Sequence, residues 1–152
     1  MKVRFDATDL KLLVALQQDG RLSYSELARR VGLSPPAVSE RVRGLEESGV
    51  IRSYRADVDP AALGFPITVL IRIAVNSGDK CRSLLLSLEA FPEVLEAFRV
   101  TGEDSAVVKA VVATTDHLED FINRLGRLGK PTTSIATSSF ERGPTIPTVP
   151  TV

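Results

Sequence analysis

Between Leu22 and Ile51 the chain reads LSYSELARRVGLSPPAVSERVRGLEESGVI, two short amphipathic stretches joined at a glycine, and this segment constrains the fold more than any other. Ser23 with Glu26 three residues on is a capping-box pattern. Hydroxyl and carboxylate each take a backbone N–H that the first turn of a helix leaves without a partner. A helix over 24–31 is predicted. Gly32 follows, a residue that enters a left-handed turn without a Cβ penalty. Ser34-Pro35 then supplies an N-cap with proline at the first helical position, where no N–H is needed. A second helix is predicted from there to the stop at Ser48-Gly49.

On that second helix Val38, Val42 and Leu45 fall at i, i+4 and i+7 and make one apolar stripe, while Pro36, Ser39, Glu40, Arg43 and Glu47 face away from it. Two helices across a glycine turn, the second with one face for a core and one polar face free, have the form of a DNA-reading helix-turn-helix. A major groove about 12 Å wide admits one such helix, whose N-terminal residues reach the base edges. The DNA-binding candidates are Ser34, Pro36, Ser39, Glu40, Arg41 and Arg43. Residues 50–58 read as a short extended wing that adds Arg52 and Arg55. Upstream, Leu10, Leu13 and Leu16 share one face of a predicted helix over 9–17 that stops at Asp19-Gly20, which supplies the third helix such a unit needs to close its core. The plainer alternative is a helical hairpin with arginines on a solvated face; the flanking helix and wing favour DNA.

The formal net charge is zero, which at first sight argues against a nucleic-acid partner. The distribution decides otherwise: residues 21–55 hold seven arginines against four glutamates, a local excess of three positive charges. That patch is modest. Because phosphate neutralisation supplies most non-specific affinity, several copies acting together are expected to be needed for useful binding. With 43% hydrophobic and 25% charged residues the composition is that of an ordinary globular protein. No apolar run approaches the roughly 20 residues that span a bilayer, and MKVRFDATD has no apolar stretch of signal-peptide length, so a cytoplasmic protein without a membrane partner is expected. One cysteine, Cys81, and one histidine, His117, leave no intrachain disulfide and no His/Cys metal site. Cys81 reads as an ordinary helix-start residue.

After Asp59-Pro60 the pattern changes. Phe65, Ile67, Val69, Ile71, Ile73 and Val75 alternate on one apolar face of a strand, with Thr68, Leu70, Arg72, Ala74 and Asn76 on a mixed opposite face. Asp79 then caps a helix with Leu84, Leu85, Leu88 and Phe91 at helical spacing, ended by Pro92. Strands over 94–101 and 106–113 flank the turn 102–105. A second helix capped by Asp116 carries Leu118, Phe121, Ile122, Leu125 and Leu128, and a strand over 132–141 closes the domain. The order βαββαβ is ferredoxin-like, an antiparallel sheet with both helices on one face. RNA-recognition modules share this order but stack bases on aromatics of the central strands, and the strand Ser105–Ala113 has none. An apolar, non-aromatic sheet face is better explained by burial against a second subunit. The predicted class is thus α+β: a winged helix-turn-helix with its connector over 1–60, a ferredoxin-like domain over 61–142, and a flexible Pro/Thr-rich tail over 143–152 that favours polyproline II.

The segment SELARRVGLSPPAVSERVRGLEESGVI, the connector RADVDPAALG and the turn VTGEDSAVV together resemble the Lrp/AsnC, or feast/famine, family of transcription regulators over about residues 5–142. The resemblance implies dimers that assemble into rings of eight, and an amino acid or related small metabolite held between dimers against the loop joining the second and third strands. Carried onto this sequence, that loop is Thr101, Gly102, Glu103, Asp104 and Ser105, and the facing wall includes Thr133 and Ser134. Ser105 stands where many relatives have an acidic residue, with Asp104 one position early. Backbone amides near Gly102 would hold an α-carboxylate, and a carboxylate or hydroxyl the amine. The function expected is a sequence-specific regulator of double-stranded DNA that answers to such an effector. The alternative is an architectural DNA-binding protein of the same fold without one. No cofactor is expected, and with no P-loop, no G-x-G-x-x-G and no metal spacing an enzyme is not.

Overall fold

The structure is a computed structural model that describes residues 5–75 and 78–138. The side chains of 78–82, including the expected cap Asp79 and Cys81, lie outside the described residues, as do Asn76 and the tail 143–152. The described residues divide into two compact units, one over 5–57 and one over 58–138.

The first unit holds α1 (Ala7–Gln18), α2 (Tyr24–Val31) and α3 (Pro35–Glu47). α1 starts before the expected Asp9: the Asp6 carboxylate accepts the N–H groups of Thr8 and Asp9, both at 2.8 Å, and the Asp9 carboxylate accepts the Asp6 N–H at 3.1 Å. This is a capping box built from two aspartates. α2 carries the expected one, with Glu26 Oε2 accepting the Ser23 N–H at 2.9 Å. Gly32 sits at φ 74°, so that its own N–H and that of Leu33 both reach the Ala28 carbonyl, at 2.9 and 3.1 Å. The reversal delivers Ser34, whose Oγ accepts the Ala37 N–H at 3.4 Å and opens α3. Leu12, Ala15, Leu27, Ala28, Val38 and Val42 are buried together, with Leu16, Leu22, Val31, Leu33 and Ile51 packed around them.

The N–H groups of Val50 and Ile51 both return to the Leu45 carbonyl at 3.0 Å, and the chain then runs without helix or strand pairing from Arg52 to Asp59. The expected wing is therefore a single extended segment, since no second strand is present in the described residues to make a ladder with it.

The second unit begins with a 3₁₀ turn (Ala61–Leu63) and continues as β1 (Ile67–Ala74), α4 (Gly78–Leu88), β2 (Val94–Arg99), β3 (Ala106–Val112), α5 (Thr115–Leu125) and β4 (Lys130–Ile135). The four strands are antiparallel in the order β2-β3-β1-β4. That is the expected ferredoxin-like arrangement, with shifted ends. β1 is shorter than 65–76, and β4 lies earlier than 132–141. α4 already includes Asp79, and α5 is capped by Thr114 rather than Asp116, its Oγ1 accepting the His117 N–H at 3.1 Å.

Register fixes the faces. Val69, Ile71 and Ile73 pair with Ala110, Val108 and Ala106, and these buried residues pack against Leu84 and Leu88 of α4 and Leu118, Phe121 and Leu125 of α5. The fully apolar face is thus covered by the chain's own helices. The outer face presents the rows Phe98–Val107–Arg72–Thr132 and Glu96–Lys109–Leu70–Ser134. It is mixed, and through Phe98 it is aromatic, which corrects the apolar, non-aromatic face expected from the third strand alone. Leu70 and Phe98 are 46% and 55% exposed there.

Candidate DNA interface and effector loop

The first turn and outer side of α3 form the candidate DNA surface. With Val38 and Val42 buried, Ser34, Pro36, Glu40 and Arg43 are exposed and Ser39 is half-buried. Arg43 meets Glu47, with 3.7 Å between Nε and Oε1, and both side chains are about two-thirds or more exposed (67% and 72%), so that pairing yields readily to a base edge or phosphate. Arg52 and Arg55 are exposed on the extended segment, Arg55 donating through Nε to Ser53 Oγ at 3.1 Å. The segment is fixed to its own unit by Tyr54, whose hydroxyl donates to Glu46 Oε1 at 2.8 Å. Burial first, and the Glu46 carboxylate second, push that phenol up to about 12.

Arg41 departs from the expected role. Its Nη1 donates to Asp6 Oδ2 at 2.7 Å and to Asp9 Oδ1 at 2.8 Å, so it clamps α3 to the start of α1. Those two carboxylates, Asp9 first, raise the guanidinium's pKa. In return Asp6 is held below its ordinary value, by the Asp9 N–H first and Arg41 second. A sequence scan for S-x-x-E boxes overlooks the D-x-x-D signal at Asp6. Arg29 and Arg30, two of the seven arginines of the positive patch, are exposed beside Glu26 on α2, the helix that in this motif crosses the phosphate backbone.

In the second unit the loop between β2 and β3 has Thr101, Gly102 and Glu103 exposed, with Gly102 at φ 117°, a conformation a side chain would strain. Asp104 is half-buried and lies 3.8 Å from the Arg72 guanidinium. Ser105 is buried, at 8% exposure. Its N–H donates to the Ile73 carbonyl at 2.8 Å and its Oγ accepts the Val75 N–H at 3.1 Å, so its polar groups tie the loop to the end of β1. Thr133 and Ser134 do not form one wall. Successive residues of β4 point to opposite faces, so Thr133 opposite Ile71 faces the helices while Ser134 opposite Leu70 faces outward.

A cluster not anticipated from sequence lies in the same unit. Glu93 is 6% exposed, and its Oε1 accepts from both His117 Nε2 (3.1 Å) and the Arg124 guanidinium. The Arg124 guanidinium lies 5.5 Å from the centres of both the Phe91 and Phe121 rings. Burial works to raise the Glu93 pKa, but the donors, Arg124 foremost, win and hold it below its ordinary value.

Residues 5–52 match the family model described as winged helix-turn-helix DNA-binding, and residues 68–146 match the Lrp/AsnC ligand binding domain. The chain belongs to the Lrp/AsnC family. It is 41% identical over 134 residues to the HTH-type transcriptional regulator YezC of Bacillus subtilis, covering 88% of this chain and 94% of that one. Among solved structures, the feast or famine regulatory protein of M. tuberculosis in complex with L-methionine is 32% identical with a TM-score of 0.88, over 94% of this chain and 99% of that one. A Neisseria meningitidis transcriptional regulator, also in complex with L-methionine, is 29% identical with a TM-score of 0.87, over 95% and 97%. This Lrp/AsnC chain is a DNA-binding transcription regulator and not an enzyme. Among its described residues no helix is long and apolar enough to cross a membrane.

Proposed function

We propose that this regulator reads double-stranded DNA through the first turn and outer side of α3, with Ser34, Pro36, Ser39, Glu40 and Arg43 toward the bases and Arg52, Arg55, Arg29 and Arg30 on phosphates. Arg41 is left out because its guanidinium is committed to Asp6 and Asp9. The observation that carries the reading is the division of α3 into a buried stripe, Val38, Val42 and Leu45, and a polar side free of the core. The working unit in this proposal is a homo-oligomer, built on dimers through the outer sheet face and extended to rings. A local excess of three positive charges is too small for one copy to bind tightly against physiological salt.

The same proposal gives the second unit an amino-acid effector at the loop 101–105. Exposed amides around Gly102 suit an α-carboxylate, and Asp104 suits an ammonium group if it exchanges its 3.8 Å contact with Arg72 for one with the ligand. Two relatives solved with L-methionine make that amino acid the first to try. For such a ligand to alter DNA affinity it must bind two assembly states unequally, and couplings of about 1–3 kcal/mol are usual. The test is calorimetric titration of the twenty amino acids into the intact protein, followed by footprinting with and without any that bind. An amino acid whose binding disappears in Gly102→Trp and which shifts the footprint supports the proposal. A footprint indifferent to all of them leaves an architectural DNA-binding protein.

A further inference from the structure

Residues 144–152 are three copies of one tripeptide: Pro144-Thr145-Ile146, Pro147-Thr148-Val149 and Pro150-Thr151-Val152. In polyproline II, with three residues per turn, such a repeat sorts into a proline stripe, a threonine stripe and a branched apolar stripe. Two of the three stripes are apolar, and none of the side chains is charged. The match to the Lrp/AsnC ligand binding domain stops at residue 146, so the second and third tripeptides lie beyond it.

The second unit holds a groove of about 450 Å³ whose chemistry suits such a segment. Its walls are Val58, Leu63, Phe65, Leu95 and Val111 with Pro60 and Pro92, and the first four of these are exposed, so a continuous apolar surface is left open. Grooves with aromatic walls are where proline-rich polyproline II segments dock. No Lys or Arg is among the lining residues, and the two ionisable ones, Glu93 and His117, are bonded to each other at 3.1 Å, which suits an uncharged occupant. A proline-rich backbone also brings fewer N–H donors that apolar walls would leave without a partner.

β4 delivers the chain to the same end of the sheet. The Ala136 N–H donates to the Thr68 carbonyl at 2.9 Å, and Thr68 pairs with Val111 of the groove wall. With neighbouring strands about 4.8 Å apart, Ala136 lies roughly 10 Å from Val111. The described chain reaches Ser138, and the five residues 139–143 that follow extend to about 17 Å, enough to bring Pro144 to the groove. We propose that the groove is occupied by residues 144–152 of the same chain in polyproline II form, with the proline and branched stripes against Leu63, Phe65 and Leu95 and the threonine stripe toward water. The site is separate from the loop 101–105 and from the DNA surface, and it depends on neither.

The experiment is photo-crosslinking of the full chain, with a benzophenone maleimide on Thr148→Cys, a position on the threonine stripe, and Cys81→Ala to remove the only other thiol. Peptide mass spectrometry reads where the label attaches, and a denaturing gel reads whether one chain or two are joined. Attachment within 58–65 and 92–95 is expected, at the mass of a single chain. Val149→Asp, on the branched stripe, and Leu63→Asp, on a residue 67% exposed, are each expected to remove most of that product. Val149→Asp decides the matter if Leu63→Asp does not fold. Attachment scattered over other surfaces, or none in the groove, would overturn the proposal. So would groove attachment that survives Val149→Asp. Groove peptides found only in a product of two chains would give the groove to a second copy's segment, and the assignment to the same chain would be lost.

Discussion

Arg41 Nη1 lies 2.8 Å from Asp9 Oδ1, joining the middle of α3 to the first turn of α1. The same nitrogen reaches Asp6 Oδ2, so the residue that caps α1 and the one that closes its capping box share one cation from the recognition helix. Arg41→Ala is expected to lower the melting temperature of the protein more than Arg43→Ala, whose partner Glu47 is largely exposed. Asp6 has a folded pKa below its ordinary 3.8, so its contribution to stability is present above that value and is lost as pH falls through the lower folded value. Thermal melts from pH 7 down to pH 3 should therefore show wild type and Asp6→Asn converging in acid. Equal melting temperatures at pH 7 for wild type and Arg41→Ala would show that the clamp holds nothing.

The arginines of the DNA surface are expected to separate by role. Arg43→Ala should cost about 1–3 kcal/mol at the preferred operator and little on unrelated DNA, because a base contact carries sequence information. Arg52→Ala and Arg55→Ala should weaken all sequences alike, each reducing the slope of log K against log salt by about one. Gel-shift titrations at several salt concentrations read both effects. If Arg43→Ala leaves operator affinity unchanged, α3 is not oriented on DNA as proposed.

What the sequence made readable and what it did not divide on physical grounds. The capping box at Ser23 and Glu26, the Ser34-Pro35 start and the stripe Val38, Val42 and Leu45 are local patterns within one or two turns, and they stand in the structure as read. The clamp at Arg41 is not legible in the sequence because its partners lie 32 and 35 residues away at the start of another helix, a distance that periodicity does not span. Thr133 and Ser134 are adjacent in sequence, but a strand sends neighbours to opposite faces, and only the register with Ile71 and Leu70 shows which goes where. Glu93 follows the Pro92 that ends the predicted helix and carries no local pattern of its own. Its cluster forms only when α5 brings His117 and Arg124 across from more than 20 residues away (24 and 31).

Ser105 offers a test between two roles. Its Oγ accepts the Val75 N–H and its residue is buried, so Ser105→Ala leaves a backbone donor without its partner at a cost of about 1–3 kcal/mol. Chemical denaturation should show that loss. Because the hydroxyl faces β1, intrinsic affinity for any amino acid bound at the loop should change far less than in Gly102→Trp. A variant as stable as wild type that has lost effector binding would place the hydroxyl on the ligand.

The outer sheet face carries the assembly prediction. Phe98 and Val107 stand side by side across β2 and β3, and Leu70 lies on the neighbouring row of β1, in a field that also holds Glu96, Lys109 and Arg72. Such a face is too polar to be core and too apolar to be left to solvent without reason, which suits a twofold contact where an aromatic anchor is ringed by charges. In an isologous interface each substitution occurs twice. Removing Phe98 forfeits about 1.5–3 kcal/mol of burial per copy, and Phe98→Glu adds an unpaired carboxylate to the loss. Light scattering at micromolar concentration should give a mass of two chains or a multiple of two for wild type, and a large shift toward single chains for Phe98→Glu. Substituting Leu86, 69% exposed on α4 and on the far side of the sheet, should leave the mass unchanged. If Phe98→Glu keeps the wild-type mass while Leu86→Glu breaks the assembly, the subunits meet through the helical layer and the outer sheet face has another use.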